Sequence, residues 1–205
     1  MRRHGRKGIM VLAAAVLAVT LSGCGKKYEE AAVTTAAETE AEPTREPPET
    51  EPEEPLERVE VDGKIRSYLT GEMVDVAIGN RRPLAVMMSN DKESLPQYGI
   101  NRAGVVYEVP VEGEMNRYMA LIEDYDGLER IGSVRSARTC YTYFAREYDA
   151  IFAHYGQSTF AKKYLNNVDN INGLDGIGGT AYYRTKDRKA PHNAYTSGER
   201  VNKAI

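Results

Sequence analysis

Arg135 and Arg138, three residues apart in "RIGSVRSARTC", are the side chains best suited to hold an anion. A guanidinium fork matches a carboxylate or a phosphate with two parallel N–H donors. The residues from Ser136 to Tyr148 have helical spacing, which puts Arg135 at the mouth of a helix and Arg138 in its first turn. Basic side chains are unfavourable at that end of the helix dipole unless they face an acid or a ligand. Two readings follow. The arginines grip an anionic ligand, or they pair internally with Glu108, Glu112 or Glu123 on neighbouring strands.

Other polar groups could do chemistry. Glu108, Glu112, Glu114 and Arg117 surround a predicted hairpin, and Glu108 and Glu112 share a face if the strand is regular. Paired carboxylates there would serve acid–base chemistry or a metal, or form a solvated, salt-bridged face. His154, in "AHYGQS", ends a predicted strand, the place where open α/β sheets bind ligands. It reads as a base, a donor or a metal ligand, or as a structural donor inside the fold. The segment "RTKDRKAPHNAYTS" sets Arg184, Lys186, Arg188, Lys189, His192 and Asn193 among Tyr182, Tyr183 and Tyr195. It suits an acidic or glycan ligand, or a solvated loop stiffened at Pro191.

Several chemistries find no motif. His154 and His192 lack the spacing of a zinc protease, and neither a metal nor a cofactor is expected. There is no GxSxG elbow and no Gly-rich dinucleotide fingerprint. "GIGGT" lacks the lysine of a phosphate loop and reads as a turn. Cys140 falls inside the predicted helix and reads as a buried structural residue. Fourteen tyrosines and no tryptophan leave tyrosine as the only abundant stacking surface.

The elements that must position these groups are short. Strands are expected at Pro83–Ser89, Gly104–Glu112, Arg117–Asp124 and Asp149–Gly156, with Gly113–Asn116 as a hairpin loop. In the third, Tyr118, Ala120 and Ile122 oppose Met119 and Leu121. Pro110 marks the second as an edge or a bulge. Helices are expected at Ser136–Tyr148 and Ser158–Asn166, with a third starting near Thr196, where Thr196 and Glu199 make a capping-box spacing. That helix meets Ile205 without a C-cap signal, so the chain reads as part of a longer protein. The pattern predicts an α/β or α+β fold over residues 59–205, a single domain with a mixed β-sheet packed by helices.

The N-terminal segment reads differently. "MRRHGRKG", an apolar run from Ile9 to Leu21 and then Ser22, Gly23 and Cys24 describe an export signal over residues 1–23. The apolar run is shorter than the roughly 20 residues of a comfortable membrane span. Leu21-Ser22-Gly23-Cys24 resembles the bacterial lipobox, in which the cysteine receives a diacylglycerol anchor. Residues 24–58 contain "EAEPTREPPETEPEEPLE", with almost nothing apolar to bury, and read as a disordered acidic tether or an acidic interaction tail. The formal net charge of −3 belongs largely to that segment. The remainder is near neutral or slightly basic, so no nucleic-acid partner is expected. The expected location is the extracytoplasmic face of the cell membrane, with lipid on Cys24.

The segments "RPLAVMMSN", "PQYGINRAGVVYEVPVEGEMNRYMALI", "IGSVRSAR", "REYDAIFAHYGQS" and "KAPHNAYTS" occur in this order. Together they resemble the YerB-like lipoprotein family of Gram-positive bacteria, over about Arg82 to Ile205. The resemblance places family motifs on Glu108, Glu112, Gly113, Arg117, Gly132, Arg135, Ser136, Arg138, His154, Pro191, His192 and Asn193. It implies a second, C-terminal conserved region and no established activity. The family often has proline where this chain has Thr139, and Cys140 is outside the pattern.

The expected function is a membrane-anchored lipoprotein whose domain binds an anionic small molecule, a cell-wall component or a protein partner. Arg135, Arg138, His154, His192 and Glu112 would line one polar site, with Glu108, Arg117 and Asn193 as further candidates. The alternative is an envelope-polymer hydrolase or transferase. Glu112 or His154 would then be the general base, and the arginines would stabilise developing charge.

Overall fold

The computed structural model describes residues 58–205. The export signal, Cys24 and all but the last residue of the acidic segment lie outside the described residues. The described residues open with two paired antiparallel strands, β1 (Lys64–Arg66) and β2 (Met73–Asp75), and the single-turn α1 (Val76–Gly79). Then come β3 (Leu84–Ser89), β4 (Val105–Val111), β5 (Met115–Ile122), β6 (Ile131–Gly132) and α2 (Thr139–Glu147). They are followed by β7 (Ile151–His154), β8 (Asn170–Asn172), α3 (Gly178–Ala181), β9 (Tyr183–Arg184), β10 (Ala194–Thr196) and α4 (Gly198–Ala204).

The main sheet has the order β4-β5-β3-β7-β8. The β4–β5 and β5–β3 pairs are antiparallel, whereas β3–β7 and β7–β8 are parallel, so the sheet is mixed as its sequence pattern predicts. Central β3 is buried on both faces, which is why LAVMM is apolar throughout rather than alternating. Leu84, Val86 and Met88 join Ala120 and Ile122 on one face, under Tyr125, Ile131, Tyr182 and Val201. Ala85 and Met87 join Met119 and Leu121 on the other, under Tyr141 and Ala145 of α2. The sheet therefore lies between α2 and a second layer made of the small sheet β6-β10-β9 with α3 and α4. Each large apolar side chain buried this way stabilises the fold by about 1.5–3 kcal/mol.

β4 is an edge strand, so Pro110 withholds no needed donor from the sheet. The hairpin turn is Glu112-Gly113-Glu114, with φ of +77° at Gly113, and β5 begins at Met115 rather than at Arg117.

Three helix expectations are corrected. α2 starts at Thr139, not Ser136, because the backbone of Arg135 and Ala137 is bonded into the sheet; Arg138 is therefore its N-cap and not a first-turn residue. Ser158–Asn166 is a succession of turns ending in a 3-10 turn at Leu165–Asn167. The Ser158 hydroxyl there takes the Ala161 amide at 3.2 Å, a local bond that competes with a helix. Thr196 lies in β10 and donates its hydroxyl to the Ala181 carbonyl, while Ser197 caps α4 by accepting from the Arg200 amide at 3.2 Å. Gly198 follows because a Cβ there would stand 1.9 Å from the Tyr125 carbonyl oxygen.

Candidate functional site

β3 and β7 pair only as far as Val86 and Ala153. Beyond that point they separate, and the chain before α2 enters between them. The Arg135 amide donates to the Met87 carbonyl at 2.9 Å, the Tyr155 amide donates to the Arg135 carbonyl at 3.0 Å, and the Ala137 amide donates to the Gly156 carbonyl at 2.9 Å. The divergence of parallel strands at their C-terminal ends is where α/β sheets place ligands. Here it presents Arg135, Ser136 and Arg138.

Arg117, at the start of β5 and opposite Ser89 in β3, joins them from the neighbouring strand. It is only 4 % exposed, and its guanidinium makes a single hydrogen bond among the described residues, from Nη1 to the Ser136 carbonyl at 2.8 Å. Arg138 donates to the same carbonyl at 3.1 Å and to that of Ala137 at 3.0 Å, while its Nε donates to Glu112 at 2.7 Å. Arg135 donates from Nη1 to Asp91 at 2.8 Å and to the Ser89 hydroxyl at 3.2 Å. The same nitrogen lies 3.0 Å from His192 Nδ1, which is itself 3.4 Å from Asp91. A groove of about 460 Å³, lined by Asn90, Lys92 and Asn116 and by the carboxylates of Asp91, Glu93 and Glu114, borders this corner.

The corner holds three guanidinium groups and two carboxylates. The Arg138 hydrogen bond holds the Glu112 carboxyl down at about 2, against the opposing effect of its partial burial. Burial raises the Asp91 pKa, but the Ser89 hydroxyl and then the charges of Arg135, His192 and Arg117 outweigh it and lower the value overall. Arg117 is pushed down to about 10, first by burial and then by the like charges of Arg138 and Arg135. Both carboxylates stay ionised and engaged, while Arg117 has no carboxylate within ion-pair distance among the described residues. Such a group can hold an anion; a carboxylate as acidic as Glu112 is a weak base.

Glu112, Arg117, Arg135, Arg138 and His192 thus come together. Glu108, His154 and Asn193 do not. Glu108 points from the exposed face of β4 to Asn116 at 2.8 Å, and Glu112 lies past the strand end, where the turn directs it to Arg138; the even spacing does not give them a shared face. His154 is fully buried, with Nδ1 2.8 Å from the Gly156 carbonyl and Nε2 3.1 Å from Asn170 Oδ1. Asn193 closes the β9–β10 loop, accepting from Arg184 at 2.6 Å and donating to the Thr185 carbonyl at 2.9 Å.

The other arginines of that loop also serve the fold. Arg188 reaches the carbonyls of Ser94 and Leu95 at 2.6 and 2.9 Å, and Arg184 stacks on Tyr155 at 4.5 Å. Cys140 is half-buried on α2, and burial pushes its thiol up. Internal pairing holds for Arg138 with Glu112, but Arg135 takes Asp91 instead of a glutamate. Asp91 and Ser89 were not among the candidates read from sequence. Their signal is position alone: with Asn90 between them, they are the first polar residues at the C-terminal end of an otherwise apolar strand.

The fold and the corner define a mixed-sheet domain with an arginine-lined edge. The chain belongs to the family described as "Protein of unknown function (DUF3048) N-terminal domain", whose model matches residues 69–205. It is 37% identical over 143 residues to the "Putative lipoprotein YerB" of Bacillus subtilis (strain 168), covering 69% of this chain and 43% of that protein. A crystal structure of the YerB protein from Bacillus subtilis matches with a TM-score of 0.64 and 37% identity, over 68% of this chain and 48% of that one. The chain therefore spans less than half the length of these relatives.

Proposed function

We propose that this protein is an exported lipoprotein whose domain binds an anionic ligand, a phosphate or carboxylate of the cell envelope, in the corner of Arg117, Arg135, Arg138 and His192. In this reading residues 1–23 are the signal, Cys24 carries the lipid, residues 24–58 form the tether and residues 59–205 form the binding domain. The lipobox pattern and the name of the Bacillus relative support the anchor. One observation carries the binding: Arg117 is buried beside two further arginines and lacks a carboxylate of its own. A buried charge is costly unless paired, and an anion in the corner supplies the missing partner.

Thermal melts of the protein with inorganic phosphate, pyrophosphate and citrate test this. A ligand at a hundred times its dissociation constant adds about 2.7 kcal/mol to the folded state. The Arg135→Ala, Arg138→Ala double variant should fold and lose that response. A melt that none of the three anions raises, or an equal rise in the double variant, rules the reading out.

A further inference from the structure

We propose a second binding site at the opposite end of β5, one that takes an organic ammonium group on a short apolar stem. It is separate from the arginine corner. Arg117 and Glu123 are six residues apart along an extended chain, about 20 Å at the rise of a β-strand.

Glu123 follows the last residue of β5 and is 9 % exposed. Its Oε2 accepts from the Ser67 hydroxyl at 2.5 Å. That hydroxyl oxygen also accepts from the amides of Leu69 and Thr70 at 3.0 and 3.1 Å, so its single proton is committed to Glu123. Among the described residues Glu123 Oε1 has no hydrogen-bond partner, and no cation lies within ion-pair distance of the carboxylate.

The carboxylate lines a cavity of about 540 Å³ with Tyr68, Leu69, Pro83, Glu147 and Tyr148. Two arginines also border it, but their charges are spent elsewhere. Arg81 pairs with Asp126 at 2.8 Å and lies 3.7 Å over the Tyr125 ring. Arg82 pairs with Asp149 at 3.1 Å and Asp169 at 2.8 Å. Glu147 makes no ion pair among the described residues. The cavity therefore presents two carboxylates that make no ion pair among the described residues, one buried and one exposed, between apolar and aromatic walls.

Glu123 Oε1 opens to the cavity without a protein donor among the described residues, and a donor cation there makes a charge-assisted hydrogen bond. An ammonium can donate to Glu123 Oε1 while its alkyl stem packs on Leu69, Pro83 and Tyr148. Tyrosine faces favour cations, and Arg58 already stacks on Tyr68 at 3.5 Å, held by the carbonyls of Arg66 and Gly79. An anion meets two carboxylates here and is repelled.

Titration calorimetry of the full chain with n-butylamine, against n-butanol and butyrate, tests the site. The amine should bind and the other two should not. Glu123→Gln, which keeps an acceptor for Ser67, should weaken amine binding at least tenfold with the melt retained. Asn80 also lines the cavity and is exposed, so Asn80→Lys carries no folding risk from burial. Its ammonium should occupy the site from within and abolish butylamine binding, and it decides the matter if Glu123→Gln fails to fold. No amine binding, equal binding of butanol, or unchanged affinity in a folded Glu123→Gln or in Asn80→Lys overturns the proposal. The phosphate response of the arginine corner is a separate readout and stays intact in both variants.

Discussion

Arg117 and Arg138 come from different elements and donate to one oxygen, the Ser136 carbonyl, at 2.8 and 3.1 Å. Two like charges are held together by a backbone group that carries no full charge. Only Arg138 is also paired with a carboxylate, Glu112. The corner therefore carries one more guanidinium than it has carboxylates among the described residues.

Removing Glu112 should sharpen that imbalance. Glu112→Gln frees the Arg138 fork and should tighten phosphate binding severalfold, measured by titration calorimetry. A general base lost at this position would instead leave binding alone and abolish turnover. The folded pKa of about 2 lies below the ordinary 4.5, so the contribution of Glu112 to stability is present above pH 4.5 and lost as pH falls toward 2. Denaturant titrations over that range should show a shallower acid loss in Glu112→Gln.

Asp91 competes with any ligand for Arg135. Asp91→Asn should raise phosphate affinity and steepen its salt dependence, because the corner gains a net positive charge. It should also lower the melting temperature, since Arg135 and Ser89 lose their charged partner. Weaker phosphate binding in this variant would mean that Asp91 belongs to the ligand's own contacts.

His154 is a fold residue in this structure. Burial, the largest influence on it, lowers its pKa despite the acceptors at Gly156 and Asn170. The unfolded chain then binds the proton more readily than the folded one, so stability is lost as pH falls below the ordinary 6.5. His154→Leu should remove that pH dependence, cost about 1–3 kcal/mol through the one hydrogen bond that the neutral imidazole donates and the packing around it, and leave the anion response untouched. Loss of the anion response from a stably folded His154→Leu would return His154 to the site.

The α4 entry offers a local check. Ser197→Ala removes the cap on the Arg200 amide and should cost about 1 kcal/mol. Gly198→Ala should cost more, because its Cβ would be driven into the Tyr125 carbonyl. A smaller loss for Gly198→Ala than for Ser197→Ala, read from chemical denaturation, would contradict that contact.

Some of this was legible in the chain alone. The apolar run Pro83–Ser89 announced a strand, and Ala120 and Ile122 against Met119 and Leu121 gave the two faces of its neighbour. Pro110 marked an edge or a bulge, and two arginines before a helix marked the corner where Arg135 and Arg138 meet. These signals survive because they depend on residues a few positions apart within one element. Whether Arg135 would find a glutamate or Asp91, whether His154 would face a ligand or the core, and whether Glu112 would lie beside Glu108 or against Arg138 depended on segments 16 to 44 residues apart. The start of α2 was decided the same way, when sheet carbonyls and amides took the bonds that a helix turn at Ser136 needed. Spacing along a chain reports which side of an element a residue occupies; only the packed structure, where each charge must find a partner or go without, decides what that side meets.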